Sequence, residues 1–523
     1  MVKRNVQYGL WDSPITPQQL ALEVRLSDLA WDTDGETLVW IEGRSGRGVL
    51  VAKRRGEAAR DLTAELSVRA QVGYGGGDFT VFQGTVYFVS EGRLYRQDLA
   101  GGGATPITPR YGQASSPQVS PDGRWLLFVF SDGKKDALAI VDTQGHFWPQ
   151  RLDCDRDFYM QPCWRPTEDP TEVRIAWVAW DHPLMPWDGA DLTLGTLNTS
   201  GDGLPVLSRS ERVAGGTNAA IFQPEFSPDG RSLAYVSEEP GYGTLFFYDL
   251  IEKTDRQLTA GDEDLALPAW VQGLRTYGFS SDGRTIVYRA RKGGSDRLKR
   301  VDIETGEVEL LDEHFADYTL LQQITPSPTE DAVAAIAQSA VIPARVITCS
   351  LAAKQTPRIH RYSSTETVLS DDLSTPEPID WATTDGEMAH GLYYQPRSSV
   401  FSGIDLPPVI VLAHGGPTSQ YTAGYHGATQ FFTTRGYAVL EVNYRGSTGY
   451  GREYREALRG NWGIADVEDV VSGARSLAES GRVDLERMVI MGGSAGGYTV
   501  LRALIDHPGL FRAALCLYGV SNL

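Results

Sequence analysis

The stretch "SPDGRSLAYVSEE", residues 227–239, joins a tight Asp-Gly turn to a strand whose apolar residues alternate. The same text returns as "SPDGRWLLFVFSD" from Ser120, "SSDGRTIVYRARK" from Ser280 and "WDTDGETLVWIEG" from Trp31. Weaker copies begin at Ser327 and Arg165, and "FTVFQGTVYFVSEGRLYRQDL" from Phe79 keeps the strand–turn–strand rhythm. Anchored on Asp34, Gly84, Asp122, Glu168, Asp229, Asp282 and Glu330, the units number seven. They recur at roughly fifty residues, the length of a four-stranded propeller blade. A pair of β-sandwiches would supply similar strands, but not a regular spacing sustained over roughly 300 residues. The expectation is a seven-bladed β-propeller over residues 26–365, a disc with a central channel, preceded by an N-terminal segment (1–25) that packs not on the propeller but on the second domain, which begins beyond residue 365.

The grammar changes after about residue 365. "SSTETVLSDDLSTPEPIDW" (363–381) reads as a linker. Beyond it, buried-strand runs such as "PPVIVLAHGGP" (407–417) and "YAVLEVNY" (437–444) alternate with the helical text of "DVEDVVSGARSLAES" (466–480). Strands alternating with helices imply a doubly wound, mostly parallel sheet over 366–523, that is, an α/β-hydrolase type of domain.

With 523 residues the chain is long enough for at least two cores. Its net charge of −19 disfavours nucleic acid and anionic membrane as partners, since both call for a basic surface. No run of 18 apolar residues marks a membrane span, and "MVKRNVQYGLWDSPITPQQL" lacks the apolar core of a secretory signal. Cys154, Cys163, Cys349 and Cys516 follow no metal or disulfide spacing, so reduced thiols and a cytoplasmic location are the default. The eight histidines include no H-E-x-x-H pair, and neither a metal nor an organic cofactor is implied. The sequence leaves homo-oligomerisation open.

Chemistry concentrates on two loops. "IMGGSAGGYTV" (490–500) places Ser494 at the centre of G-x-S-x-G, after the strand "MVIM" and before the helix "YTVLRALIDH". That context turns a weak motif into a nucleophile elbow, with Oγ exposed on a tight strand-to-helix turn. The second loop is "HGGP" (414–417), directly after "VIVLA". In such a fold an oxyanion hole pairs the N–H after the nucleophile with one from an early sheet loop, here Ala495 and Gly416. His414 precedes the serine, whereas the fold's order is Ser, acid, His, so it reads as a loop-ordering residue.

Taken in order, "HGGP", "NYRGSTGYG", "NWGIADVEDV" and "GGSAGGY" behind a propeller resemble the prolyl oligopeptidase family of serine peptidases, in its acylaminoacyl-peptidase and dipeptidyl-aminopeptidase-like branch. The resemblance implies that Ser494 forms an acyl-enzyme on short peptide substrates, with Ala495 and Gly416 as oxyanion donors. It also implies that Arg445 orients a substrate carbonyl or carboxylate, a structural salt bridge being the bland alternative. Propeller carboxylates would hold a substrate amine; Glu238, Glu239 and Asp188 are the candidates, against a reading as solvated turn residues. In the family the acid and histidine follow the serine by very roughly 80 and 110 residues, whereas here only His507 follows, about 13 residues or roughly 20 Å along the elbow helix. His507 and Asp506 are thereby ruled out as triad members. The expectation is a truncated hydrolase domain, incomplete in its last strands, with little triad-dependent turnover. An esterase-type hydrolase and a non-catalytic propeller binding module with a vestigial hydrolase tail are the competing readings.

Overall fold

The computed structural model describes residues 3–21, 23–167, 173–200, 203–311, 315–352 and 355–522. Glu168, the anchor of the fourth repeat, lies outside these residues. Seven four-stranded antiparallel sheets occupy residues 25–61, 79–106, 113–153, 158–216, 221–257, 277–310 and 320–362, and form the blades of a propeller.

In three of the blades the repeated text folds through one local device. Ser227 Oγ donates to Asp229 Oδ1 (2.6 Å) and accepts from the Ser232 N–H (3.0 Å), while Asp229 accepts from the Arg231 N–H (3.0 Å). Ser120 with Asp122, and Ser280 with Asp282, repeat it. The turn's donors are satisfied internally, so the strand that follows enters the core with no polar debt. Ser232–Ser237 is buried along its whole length, because Leu233 and Tyr235 pack between Val178 and Leu192 of blade 4 and Ile286 and Tyr288 of blade 6.

Among the described residues, no strand is exchanged between the first and last blades. They meet through Leu29 and Trp40 against Ala334, Ile336 and Val346. Arg361 adds an ion pair to Glu42 (2.9 Å).

The centre of the disc differs from the expected open channel. Residues 270–276, in the connection from blade 5 to blade 6, cross and fill it. The Gln272 N–H donates to Gly75 O (2.8 Å), its Nε2 to Tyr159 O (2.8 Å), and its Oε1 accepts from Ser116 Oγ (3.0 Å). Gly273 O accepts from Gln323 Nε2 (3.1 Å), and Leu274 O from Gln161 Nε2 (3.2 Å). Arg275 Nη2 donates to Asp28 Oδ1 (2.6 Å), and the Thr276 N–H to Gln223 Oε1 (2.7 Å). The partners come from blades 1, 3, 4, 5 and 7 and from the connection before blade 2. Their inner strands all shift register near these residues, and Ser116, Gln161, Gln223 and Gln323 take φ between 50° and 55°. Such bulges re-aim side chains, here toward the axis.

The second domain is a six-stranded sheet of β1 (Pro376–Ala382), β2 (Met388–Tyr394), β3 (Val409–Ala413), β4 (Ala438–Asn443), β5 (Met488–Gly493) and β6 (Ala513–Leu517), in the order 1-2-4-3-5-6. β1 and β2 are antiparallel to their neighbours, and the rest are parallel. Four helices accompany it: α1 (Gly427–Thr433), α2 (Arg452–Glu456), α3 (Ala465–Glu479) and α4 (Ala495–Asp506). Val411, Leu440, Val470, Ile490 and Val500 share one core between sheet and helices. The text expected as linker ends early, since its last residues, from Pro376, already form β1. Near the N-terminus, Arg4–Asn5 pairs in parallel with Phe401–Ser402, Trp11 stacks on Phe401 and Ser13 Oγ pairs with Thr434 Oγ1 (2.7 Å), which lays the segment along the hydrolase domain.

Candidate active site

β5 is a run of apolar residues held between β3 and β6, and its end sets the elbow. Ser494 follows at φ 54°, ψ −120°, and α4 starts at the next residue. A non-glycine residue at positive φ is strained and persists only where its surroundings over-determine it. They do so here: the Ser494 N–H donates to Leu517 O (3.1 Å), and its carbonyl accepts from the N–H groups of Gly497 (3.0 Å) and Val520 (3.2 Å). The crossing leaves no space for a side chain at Gly496, where a Cβ would stand 2.2 Å from Ala413 O and 2.6 Å from His414 O. Glycine lets α4 sit directly on the root of the 414–417 loop.

That loop lies over the elbow, with the Cβ direction of Gly415 pointing to within 3.4 Å of Ser494 Cβ. Gly416 stands at φ 128°. Neither the Gly416 N–H nor the Ala495 N–H, the first of α4, donates to another group among the described residues. Two free backbone donors therefore flank Ser494, one of them at a helix N-terminus, where the local field favours negative charge. No side chain among the described residues hydrogen-bonds Ser494 Oγ. His507 closes α4 at its far end.

His414 is fixed in the loop. Its Nδ1–H donates to Gly415 O (2.9 Å), Nε2 pairs with Ser447 Oγ (2.8 Å), and the ring stacks on Tyr444 at 4.3 Å. Burial pushes its pKa down to about 4, so the ring stays neutral. The sign of the pH effect follows. An unfolded His gains a proton near pH 6.5, whereas the folded one does so only near 4. His414 therefore removes stability as pH falls through that window, by up to about 1.4 kcal/mol per pH unit. Denaturant unfolding of the chain and of His414→Asn at pH 4.5 and 6.5 should show a smaller loss in the variant; parallel losses would contradict this.

Arg445, read as a substrate-orienting candidate, is committed elsewhere. Its backbone N–H and its Nε and Nη2 bond Asp469 (2.6–2.9 Å), and Nη1 bonds Asp385 Oδ2 (2.7 Å). With every nitrogen engaged, it is a buried strut between β4 and α3, not an open fork. Glu238 is buried and ion-paired with Arg455 of α2, and burial pushes its carboxyl up to about 7 against the pull of that arginine. Asp188 accepts from Arg459 (2.6 Å) and from the Met185 N–H (3.1 Å). These two carboxylates, expected to await a substrate amine or to be solvated, instead pin the propeller to the hydrolase domain. Glu239 is exposed, and its carboxylate takes no hydrogen bond among the described residues.

Sequence reasoning missed a cluster beside the oxyanion loop. Trp270 Nε1 donates to Thr418 O (2.7 Å), and its ring lies 4.4 Å from Trp187 and 5.2 Å, edge-on, from Tyr74. Its signal was length. Residues 62–78 and 258–276 are the long connections between blades, and Tyr74 and Trp270 lie on them. No group of three or more His, Cys, Asp or Glu suited to a metal ion occurs among the described residues. No described helix is long and apolar enough to cross a membrane.

A propeller docked on a hydrolase sheet whose serine elbow faces two free backbone donors defines the class as a two-domain α/β-hydrolase. The model of the prolyl oligopeptidase family matches residues 424–523, which include the elbow. The structure of a puromycin-hydrolyzing peptidase from Mycobacterium tuberculosis superposes with a TM-score of 0.90 at 28% identity, over 100% of this chain and 81% of that one. A puromycin hydrolase gives 0.89 at 30% identity, over 99% and 81%. Acylamino-acid-releasing enzyme 1 of Oryza sativa subsp. japonica is 25% identical over 337 residues, 58% of this chain and 43% of that protein. Dipeptidyl aminopeptidase BIII of Pseudoxanthomonas mexicana is 35% identical over 150 residues, 28% of this chain and 22% of that protein. The alignments thus span less than half the length of these two curated relatives. The chain belongs to the prolyl oligopeptidase family.

Proposed function

We propose that the chain carries the nucleophile and oxyanion hole of a serine peptidase acting on short peptides, of aminopeptidase, dipeptidyl-peptidase or acylaminoacyl-peptidase type. The relatives named for amino-acid or dipeptide release and for puromycin hydrolysis support that substrate range. The observation that carries the reading is Ser494 held at positive φ between two unbonded backbone N–H groups. In the proposed step Ser494 Oγ attacks the scissile carbonyl while its proton passes to a base, water or added imidazole in this chain. The carbonyl π electrons collect on the oxygen, and the oxyanion forms against Gly416 and Ala495; each such donor is worth about 3–4 kcal/mol in comparable sites. Glu239, the one propeller carboxylate candidate without a bonded partner, is the favoured anchor for a substrate amine.

No imidazole touches Oγ in the described residues, and His414 is neutral and occupied on both nitrogens. Turnover by these 523 residues alone is therefore expected to be slow, since a positioned base contributes about 10²–10⁴-fold. A fluorophosphonate probe with mapping of the labelled peptide tests the reading. Slow labelling confined to Ser494, accelerated by added imidazole and abolished in Ser494→Ala, is the expected result. Labelling that survives in Ser494→Ala would sink it. Comparing peptide anilides with simple esters under the same rescue separates peptidase from esterase.

A further inference from the structure

We infer that Trp270 and Tyr74 form a wall that receives a bulky apolar side chain of the substrate, aromatic by preference, beside the oxyanion loop; this rests on the peptidase reading above. Consecutive Cα atoms stand 3.8 Å apart, so Thr418, which anchors the Trp270 indole, lies within about 8 Å of Gly416. A substrate carbonyl held at Gly416 therefore places a neighbouring side chain within reach of the ring.

The wall is held in place from behind. Trp187 is 7% exposed and packs against Trp270 at 4.4 Å. Two residues after Trp270, Gln272 enters the axial plug, and its N–H bonds Gly75 O (2.8 Å), next to Tyr74. Both aromatics are thus fixed to each other through the hub, yet Tyr74 remains 74% exposed. The exposed Tyr74 ring continues the face of Trp270 rather than standing alone, so the two offer one contiguous aromatic contact surface.

The chemistry selects the occupant. The indole N–H is spent on Thr418 O, so the wall offers ring faces and edges but no free Trp donor. No charged side chain bonds these three residues among the described residues. Tyr74 meets Trp270 edge-on at 84°, the geometry an added ring would extend. Apart from the Tyr74 hydroxyl, a polar side chain would find no hydrogen-bond partner on these rings.

The test measures binding, not turnover. Dipeptide anilides differing only in one side chain (Gly, Leu, Phe or Lys), placed in turn at each position, are titrated calorimetrically into the Ser494→Ala chain. At one position the Phe and Leu ligands should bind about tenfold tighter than Gly. Tyr74→Ala, at an exposed site that does not threaten folding, should remove most of that preference and leave the Gly ligand unchanged. Trp270→Phe, which keeps a ring, should retain more of it than Trp270→Ala. Equal affinities, no binding by any ligand, a preference for Lys, or a Phe preference untouched by Tyr74→Ala overturns the inference. Phe-selective binding without Ser494 phosphonylation would fail the peptidase reading alone, and phosphonylation without selectivity would fail this one alone.

Discussion

Arg445→Ala is expected to destabilise the hydrolase domain by about 3–5 kcal/mol, because removing one partner strands a buried charge. Asp469 is fully buried and receives the Arg445 backbone N–H, Nε and Nη2 together. Without the guanidinium, its carboxylate faces the core with one backbone donor. Burial already pushes Asp469 up to about 6 with the arginine in place, so below that pH protonation should soften the loss. The effect should reach the site as well. Arg445 follows Tyr444, Tyr444 stacks on His414, and His414 holds Gly415 next to Ser494. Arg445→Lys should recover little, since an ammonium cannot span Asp469 and Asp385 as the planar fork does. Denaturant midpoints, read across pH 5 to 8, check both parts. A variant within about 1 kcal/mol of the parent would show that the pair contributes no more than a surface bridge.

Gly496→Ala is expected to cost about 1–3 kcal/mol as overpacking and to slow phosphonylation of Ser494 by about 10²-fold. The added methyl would meet Ala413 O at 2.2 Å and His414 O at 2.6 Å, both backbone atoms at the root of the oxyanion loop. They cannot yield as a flexible side chain would, so either α4 moves away or the 414–417 loop does. Both movements separate Ser494 from its donors. Gly103→Ala, whose Cβ meets nothing within 4 Å, is the matched control. Equal labelling rates for the two variants would show that the elbow tolerates the shift.

What the sequence made legible was local. The Ser-x-Asp-Gly turn satisfies its own donors within five residues, so each copy announces a blade without help from the rest of the chain. The elbow is equally short-range, a strand, two glycines, a serine and a helix, and its residues stand together in the structure as they do in the text. What stayed hidden was made between residues far apart. Glu238 meets Arg455 across 217 positions, and Ser116 meets Gln272 across 156. In the sequence such side chains look like solvated polar groups, because their burial is created only when domains and blades dock. The carboxylates proposed for a substrate amine illustrate this, since Glu238 and Asp188 carry the chemistry of an ammonium site but already hold arginines of their own chain. The aromatic wall was hidden for a different reason. Tyr74 and Trp270 lie on connections that carry no repeat and no motif, and the Trp-rich stretch "WDHPLMPWDG" (180–189), which holds Trp187, gives no sign in the sequence of the partner it packs on.

The plugged centre changes what kind of object the disc is. A wheel with a bore can sieve what passes along its axis, whereas one with a solid axle can only shield. A path to Ser494 along the axis would have to pass residues 270–276, so the expected approach is from the flank, between disc and sheet. The axle also does the work of the missing latch at the rim. Asp28 of the first blade and Gln323 of the last grip the same three residues, Gly273 to Arg275. Prying the ring apart at its seam would pull the axle out with it, so the wheel is locked at its hub.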